Sequence, residues 1–174
     1  LTPMFHVHAW GIPYIATLLG LKQVYPGRYV PATICKLIAG EGVTFSHCVP
    51  TVLQMVLAAA ENTDLSRWKV VIGGSAFPRG LAAAALARGI DVFAGYGMSE
   101  TGPLLTLTRA VADPDLEAQT AARTRTGFPI PLVDLRTVDA DGVPTPRDGQ
   151  TSGEVVVRAP WLTQGYFKEP EKSA

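Results

Sequence analysis

Short β-rich runs alternate with helix-length stretches through the first half of the chain, and this alternation limits the fold more than any other feature. The β-rich runs are residues 22–25, 43–48, 68–72 and 91–94. Between them, 31–39 opens on Pro31 and stops at Gly40, and 78–88 opens on Pro78 and stops at Gly89. Proline suits a first helical turn, where its missing N–H would have no partner, and glycine suits the residue just past the last turn. The stretch 51–61 is apolar at 52, 53, 56 and 57, the spacing of one helix face. Strands separated by helices of this length predict βαβ units and a parallel sheet flanked by helices, an α/β fold. With 47% hydrophobic and 17% charged residues, the 174-residue chain can supply the buried core this requires.

Beyond Thr126 the pattern changes. Residues 133–138 and 154–158 read as strands, Asp139-Ala140-Asp141-Gly142 as a turn, and Pro144, Pro146 and Gly149 keep the intervening chain irregular. Two subdomains are therefore expected: an α/β part over 1–126 carrying the site loops, and a β-rich part over 127–174. Residues 113–125, polar and Ala-rich, read as either a connecting helix or a loop.

Several functional classes are disfavoured. Formal net charge is zero, with 15 basic and 15 acidic residues, so nothing points to nucleic acid or an anionic membrane. The two cysteines, Cys35 and Cys48, set no disulfide framework, and a reduced, cytoplasmic setting is expected. Apolar runs are too short for a transmembrane segment, and no signal peptide is evident. The apolar start at Pro3-Met4-Phe5 and the polar turn at the other end suggest a segment of a longer protein.

Chemistry concentrates in two glycine-rich segments. Gly73-Gly74-Ser75-Ala76-Phe77-Pro78 follows the run ending at Ile72, and Gly95-Tyr96-Gly97-Met98-Ser99-Glu100-Thr101-Gly102 follows the run ending at Ala94. Ligands of open parallel sheets bind beyond the carboxyl ends of the strands, so both loops should face one crevice. Familiar motifs fit poorly. The Gly97 to Gly102 spacing is that of a P-loop, but Pro103-Leu104 replaces its Lys and Ser/Thr. Gly73-x-Ser75 approaches a nucleophile elbow, but Phe77 stands where the second glycine belongs. The second loop still offers a ring to stack (Tyr96), a hydroxyl for phosphate (Ser99) and a hard oxygen for Mg²⁺ (Glu100). A plain glycine turn with one solvated glutamate is the competing reading.

His6 and His8 would share a face if 3–10 were a strand, yet no further ligand has zinc spacing, and ordinary hydrogen-bonded histidines are the default. Trp10 reads first as a core residue.

Four segments occur in order: Pro3-Met4-Phe5-His6-Val7-His8-Ala9-Trp10-Gly11, the two glycine loops, and Gly153-Glu154-Val155-Val156-Val157-Arg158-Ala159-Pro160. Together they resemble the core motifs of the adenylate-forming superfamily, and the first looks most like that of medium- and long-chain fatty-acyl-CoA synthetases. The resemblance implies the large N-terminal domain of such an enzyme, followed by the start of a β subdomain. It also implies ATP-dependent activation of a fatty acid to an acyl-adenylate and transfer to coenzyme A, with Mg²⁺. Gly73, Gly74, Ser75, Ala94, Gly95, Tyr96 and Gly97 would line the adenylate pocket. Ser99 would touch phosphate, Glu100 would hold Mg²⁺, His6 and Val7 would border the acyl group, and Trp10 would gate its tunnel. The family's phosphate loop, ribose-binding Asp and C-terminal Lys have no counterpart in these residues, so the segment alone is expected to be inactive. Another adenylating enzyme (an aryl-CoA ligase or a peptide-synthetase adenylation domain) and a non-catalytic fragment remain alternatives. The oligomeric state of the longer parent is open, a homodimer among the options.

Overall fold

A computed structural model describes residues 1–110, 113 and 115–173. The elements run α1 (Val7–Leu18), α2 (Pro31–Gly40), β1 (Phe45–Cys48), α3 (Pro50–Ala59), β2 (Lys69–Ile72), α4 (Arg79–Ala87), β3 (Asp91–Gly97), β4 (Leu104–Leu107), α5 (Leu116–Arg123), β5 (Phe128–Pro129), β6 (Asp134–Val138), β7 (Glu154–Arg158) and α6 (Pro170–Ser173). A single 3₁₀ turn, Ser99–Thr101, joins β3 to β4.

The first sheet has the order β1-β2-β3-β4-β5 and is mixed. The expected parallel arrangement holds for β1, β2 and β3, in register Phe45 to Lys69 and Lys69 to Asp91. The chain then reverses through the 3₁₀ turn, and β4 and β5 add antiparallel. Parallel neighbours need a crossover element; a few residues after Gly97 leave room only for a return. A second, two-stranded antiparallel sheet pairs β6 with β7, Asp134 opposite Arg158. The first sheet reaches past Gly127 to Pro129, so β5 lies beyond the junction drawn from sequence.

Two further expectations are corrected. Residues 22–25 form no strand. The run from Phe5 to Trp10 is not a strand either: His6 is the N-cap of the twelve-residue helix α1, which contains Pro13. Its sequence is apolar on every side, so it lacks the stripe by which helices announce themselves. Only Ala9 and Ala16 of α1 are buried, while Trp10, Ile12, Tyr14, Ile15 and Leu18 are exposed. The ambiguous stretch 113–125 resolves to α5, apart from Pro114, which lies outside the described residues. Its N-cap Asp115 accepts from the amides of Glu117 and Ala118, which would otherwise be orphaned.

The core lies between the parallel strands and helices α2, α3 and α4, around Ile34, Leu53, Val56, Trp68, Val70, Ile72, Ile90 and Val92. Each fully buried large apolar side chain stabilises by about 1.5–3 kcal/mol relative to exposure. Trp68 is fully buried, and its Nε1 donates to Ser46 Oγ at 2.6 Å, so the indole strands no polar atom. At the opposite end of β3 from the glycine loops, the Arg123 guanidinium donates to Asp91 Oδ1 (2.6 Å) and the Val92 carbonyl (2.7 Å) and lies over the Phe93 ring. Burial pushes the Asp91 carboxyl up, but hydrogen bonds from Lys69 and Arg123 outweigh it and hold the group below its usual range. This anchors α5 to β3 and leaves the other end of the strand to the site. Among the described residues, no helix is long and apolar enough to cross a membrane.

Candidate active site

Register decides where the glycine loops meet. Ile72 pairs with Ala94 in parallel strands, so Gly73, just past the end of β2, meets Gly95, which stays in β3 and pairs with Leu107 of β4. A side-chain carbon on Gly73 would stand 3.2 Å from the Gly95 carbonyl oxygen, so the two backbones touch. Gly74 has φ +81°, a left-handed turn that aims the loop away from the sheet and toward α4. At the bulge between Tyr96 and Gly97 the constraint is harder: a Cβ on Gly97 would fall 1.7 Å from the Pro103 carbonyl oxygen, so no other residue fits. A narrow cavity of about 20 Å³ lies here, lined by Gly73, Gly74, Gly95, Tyr96, Gly97, Pro103, Leu104 and His8. Ala94 is buried just below it, its N–H donating to Thr108 Oγ1 at 2.9 Å.

Sequence reading missed three of the lining residues, Pro103 and Leu104 at the start of β4 and His8. On a strand it would have paired with His6; on helix α1 the two point about 200° apart. His8 instead packs against His47 of β1, with ring centroids 4.6 Å apart and the planes tilted by 53°. Thr2 Oγ1 lies 2.7 Å from His47 Nδ1. Burial favours the neutral form of both imidazoles, lowering His8 and pushing His47 down to about 3, with the neighbouring histidine adding to the effect at His47. Helical periodicity placed on residues 7–18 would have found His8; nothing local marks His47.

The other candidates do not line this cavity. Ser75 is exposed on the loop before α4, and its hydroxyl has no histidine partner among the described residues, so a hydrolase nucleophile finds no base. His6 is exposed at the start of α1, and Val7 follows it, half-buried. Trp10 is 58% exposed, its Nε1 donating to the Phe5 carbonyl at 3.1 Å; it is not a core residue of these 174. Ser99 and Glu100 occupy the 3₁₀ turn, Ser99 exposed and Glu100 half-buried. Thr101 braces that turn: its hydroxyl accepts from the Met98 amide (2.9 Å) and donates to the Pro103 carbonyl.

Glu100 Oε1 accepts a hydrogen bond from Tyr166 at 2.7 Å, and that bond holds the carboxyl below its ordinary value. Oε2 has no hydrogen bond among the described residues. No cluster of three or more His, Cys, Asp or Glu able to hold a metal occurs among them. One carboxylate with an oxygen that accepts no hydrogen bond among the described residues fits Mg²⁺, which keeps most of its waters and takes one or two carboxylates plus phosphate oxygens.

The family model of AMP-binding enzymes matches residues 1–167. The chain belongs to this family. A long-chain-fatty-acid–CoA ligase of Thermus thermophilus is 43% identical over 97% of the chain, and a medium-chain-fatty-acid–CoA ligase of Ectopseudomonas oleovorans 38% identical over 95%. In each case the chain spans 32% of the relative's length, about a third. In fold it matches the N-terminal domain of FACL13 from Mycobacterium tuberculosis, with a TM-score of 0.83 at 24% identity, covering 99% of this chain and 42% of that one.

Proposed function

We propose that this family member acts as part of an AMP-forming fatty-acyl-CoA ligase, with ATP, a fatty acid and coenzyme A as substrates. The observation that carries the reading is the meeting of Gly73, Gly74 and the Gly95–Tyr96–Gly97 bulge at one sheet end, three residues before Glu100, in a chain 43% identical to a fatty-acid ligase over 97% of its length. Residues 1–126 serve as the α/β part and 127–174 as the β-rich part, with β5 returning across the junction to β4. Cytoplasmic ATP and coenzyme A set the compartment, and a homodimer is the assembly to look for by light scattering.

The chain's own groups divide the work. Glycine at 73, 74, 95 and 97 lets the strand ends pack closely on their neighbours and so shapes the floor of the nucleotide site, and Tyr96 offers its ring for stacking. Ser99 hydrogen-bonds phosphate oxygen. Glu100 is the carboxylate that would hold Mg²⁺, and the metal, when bound, neutralises charge developing on the phosphates. His6 and Val7 border the acyl carboxylate, and Trp10 stands at the mouth of its tunnel. In the first step a carboxylate oxygen bonds to the α-phosphorus of ATP while the bond to pyrophosphate breaks. In the second the thiol sulfur of coenzyme A bonds to the acyl carbon and AMP leaves. Neither step needs a covalent enzyme intermediate, so positioning and electrostatics carry the catalysis.

The test is to graft residues 1–167 in place of the matching third of the Thermus relative and substitute Glu100→Gln. Gln keeps size and loses charge, so fatty-acid-dependent ATP–pyrophosphate exchange should fall by at least about tenfold, while thiolysis of supplied acyl-adenylate changes far less. Equal losses in both halves would refute the metal role of Glu100.

A further inference from the structure

We propose that Tyr166 is the positioning residue for the Glu100 carboxylate, fixing one oxygen so that the other is presented to the metal–phosphate group. The proposal rests on the reading of Glu100 just given. Its own basis is a set of contacts between segments sixty or more residues apart. Tyr166 Oη donates to Glu100 Oε1 at 2.7 Å. The Thr163 amide and hydroxyl both donate to the Glu100 carbonyl, each at 3.1 Å. Trp161 Nε1 donates to the Thr101 carbonyl at 3.0 Å. Residues 161–166, which follow β7, are thus laid along the 3₁₀ turn and hold it by backbone and side chain together.

Tyr166 is itself held at the backbone. Its amide donates to Ser173 Oγ at 2.8 Å, Ser173 Oγ donates to the Glu169 carbonyl at 2.7 Å, and the Glu169 amide returns to the Tyr166 carbonyl at 3.2 Å. The phenol therefore reaches Glu100 from a braced turn. A glutamate on a one-turn helix has three rotatable bonds, and each ligand event would have to order them. A hydrogen bond to one carboxylate oxygen removes most of that freedom beforehand and leaves the second oxygen as a single, directed donor to a cation. Only the hydroxyl is needed, because the Tyr166 ring is half exposed and adds little packing.

Tyr166→Phe deletes the hydroxyl and keeps the ring. In the grafted enzyme, calorimetric titration with Mg²⁺ and α,β-methylene-ATP should show affinity weakened about three- to tenfold, the range of one hydrogen bond to a charged group in partly wet surroundings. Affinity for AMP without metal and the melting temperature should stay as they were. Adding Tyr166→Phe to Glu100→Gln should bring no further loss, since the two act through one oxygen. In the 174-residue chain itself, the ¹³Cζ resonance of Tyr166 should move on Glu100→Gln. Unchanged metal–nucleotide affinity in Tyr166→Phe, an equal loss toward AMP without metal, or a ¹³Cζ resonance insensitive to Glu100→Gln each overturns the positioning role. If Glu100→Gln alone leaves metal–nucleotide affinity unchanged, it is the metal reading of Glu100 that falls, and the role of Tyr166 with it.

Discussion

His47 should make the fold acid-sensitive well above the pH at which carboxylates titrate. The imidazole is 5% exposed on β1, packed against His8 and bonded to Thr2, and its folded pKa is pushed down to about 3 from 6.5, chiefly by burial. A depressed folded value means that the unfolded chain binds the proton more readily. The contribution is therefore intact above about pH 6.5 and is lost progressively as pH falls toward 3. Between pH 7.5 and 4.5 one such group can remove at most about 2.7 kcal/mol, because each unit below 6.5 contributes about 1.4. Structural relaxation and water penetration around a buried charge reduce the penalty, so about 1–2 kcal/mol is expected. His8, lowered in the same direction, adds with the same sign. Asp91 contributes only below its ordinary carboxylate range. Urea unfolding followed by the buried Trp68 at pH 7.5 and 4.5 measures the loss, and His47→Asn, which cannot protonate, should remove most of it. A variant that keeps the full pH dependence would refute the reasoning.

Trp10→Ala should cost under about 1 kcal/mol in this chain, because a half-exposed indole leaves no cavity, whereas in the grafted enzyme it should alter the fatty-acid chain-length profile with ATP affinity little changed; melts together with a chain-length series check this, and a large drop in melting temperature would place the ring in the core. Gly97→Ala must push the Pro103 carbonyl out of its place, since a Cβ there would lie 1.7 Å from that oxygen; it should destabilise by about 3 kcal/mol or more and broaden the amide signals of residues 95–104, and a normally stable variant would show that the bulge is softer than its geometry indicates.

The amino-acid sequence by itself determined the parts of this protein whose causes are local. Helices α2, α3 and α4 and strands β1, β2 and β3 follow from prolines and glycines at helix ends, apolar spacing and short β-rich runs, and they fall within a residue or two of the expected limits, except that β3 continues three residues further to Gly97. The two glycine loops, with Ser99 and Glu100 inside the second, were legible for the same reason. Strands β6 and β7 were legible too, the second at its expected limits, whereas other features were decided by tertiary structure alone. Helix α1 has no polar face to betray it and forms with much of its apolar surface exposed, so its residues read as a strand and His8 was set beside His6 rather than on His47. The antiparallel return through β4 and β5 depends on how little chain remains after Gly97, not on the composition of either strand. The hydrogen bond from Tyr166 to Glu100 joins positions 66 residues apart. Such a contact leaves no periodicity in either segment, because it arises from where two sheets place their loops and not from anything adjacent residues do to one another.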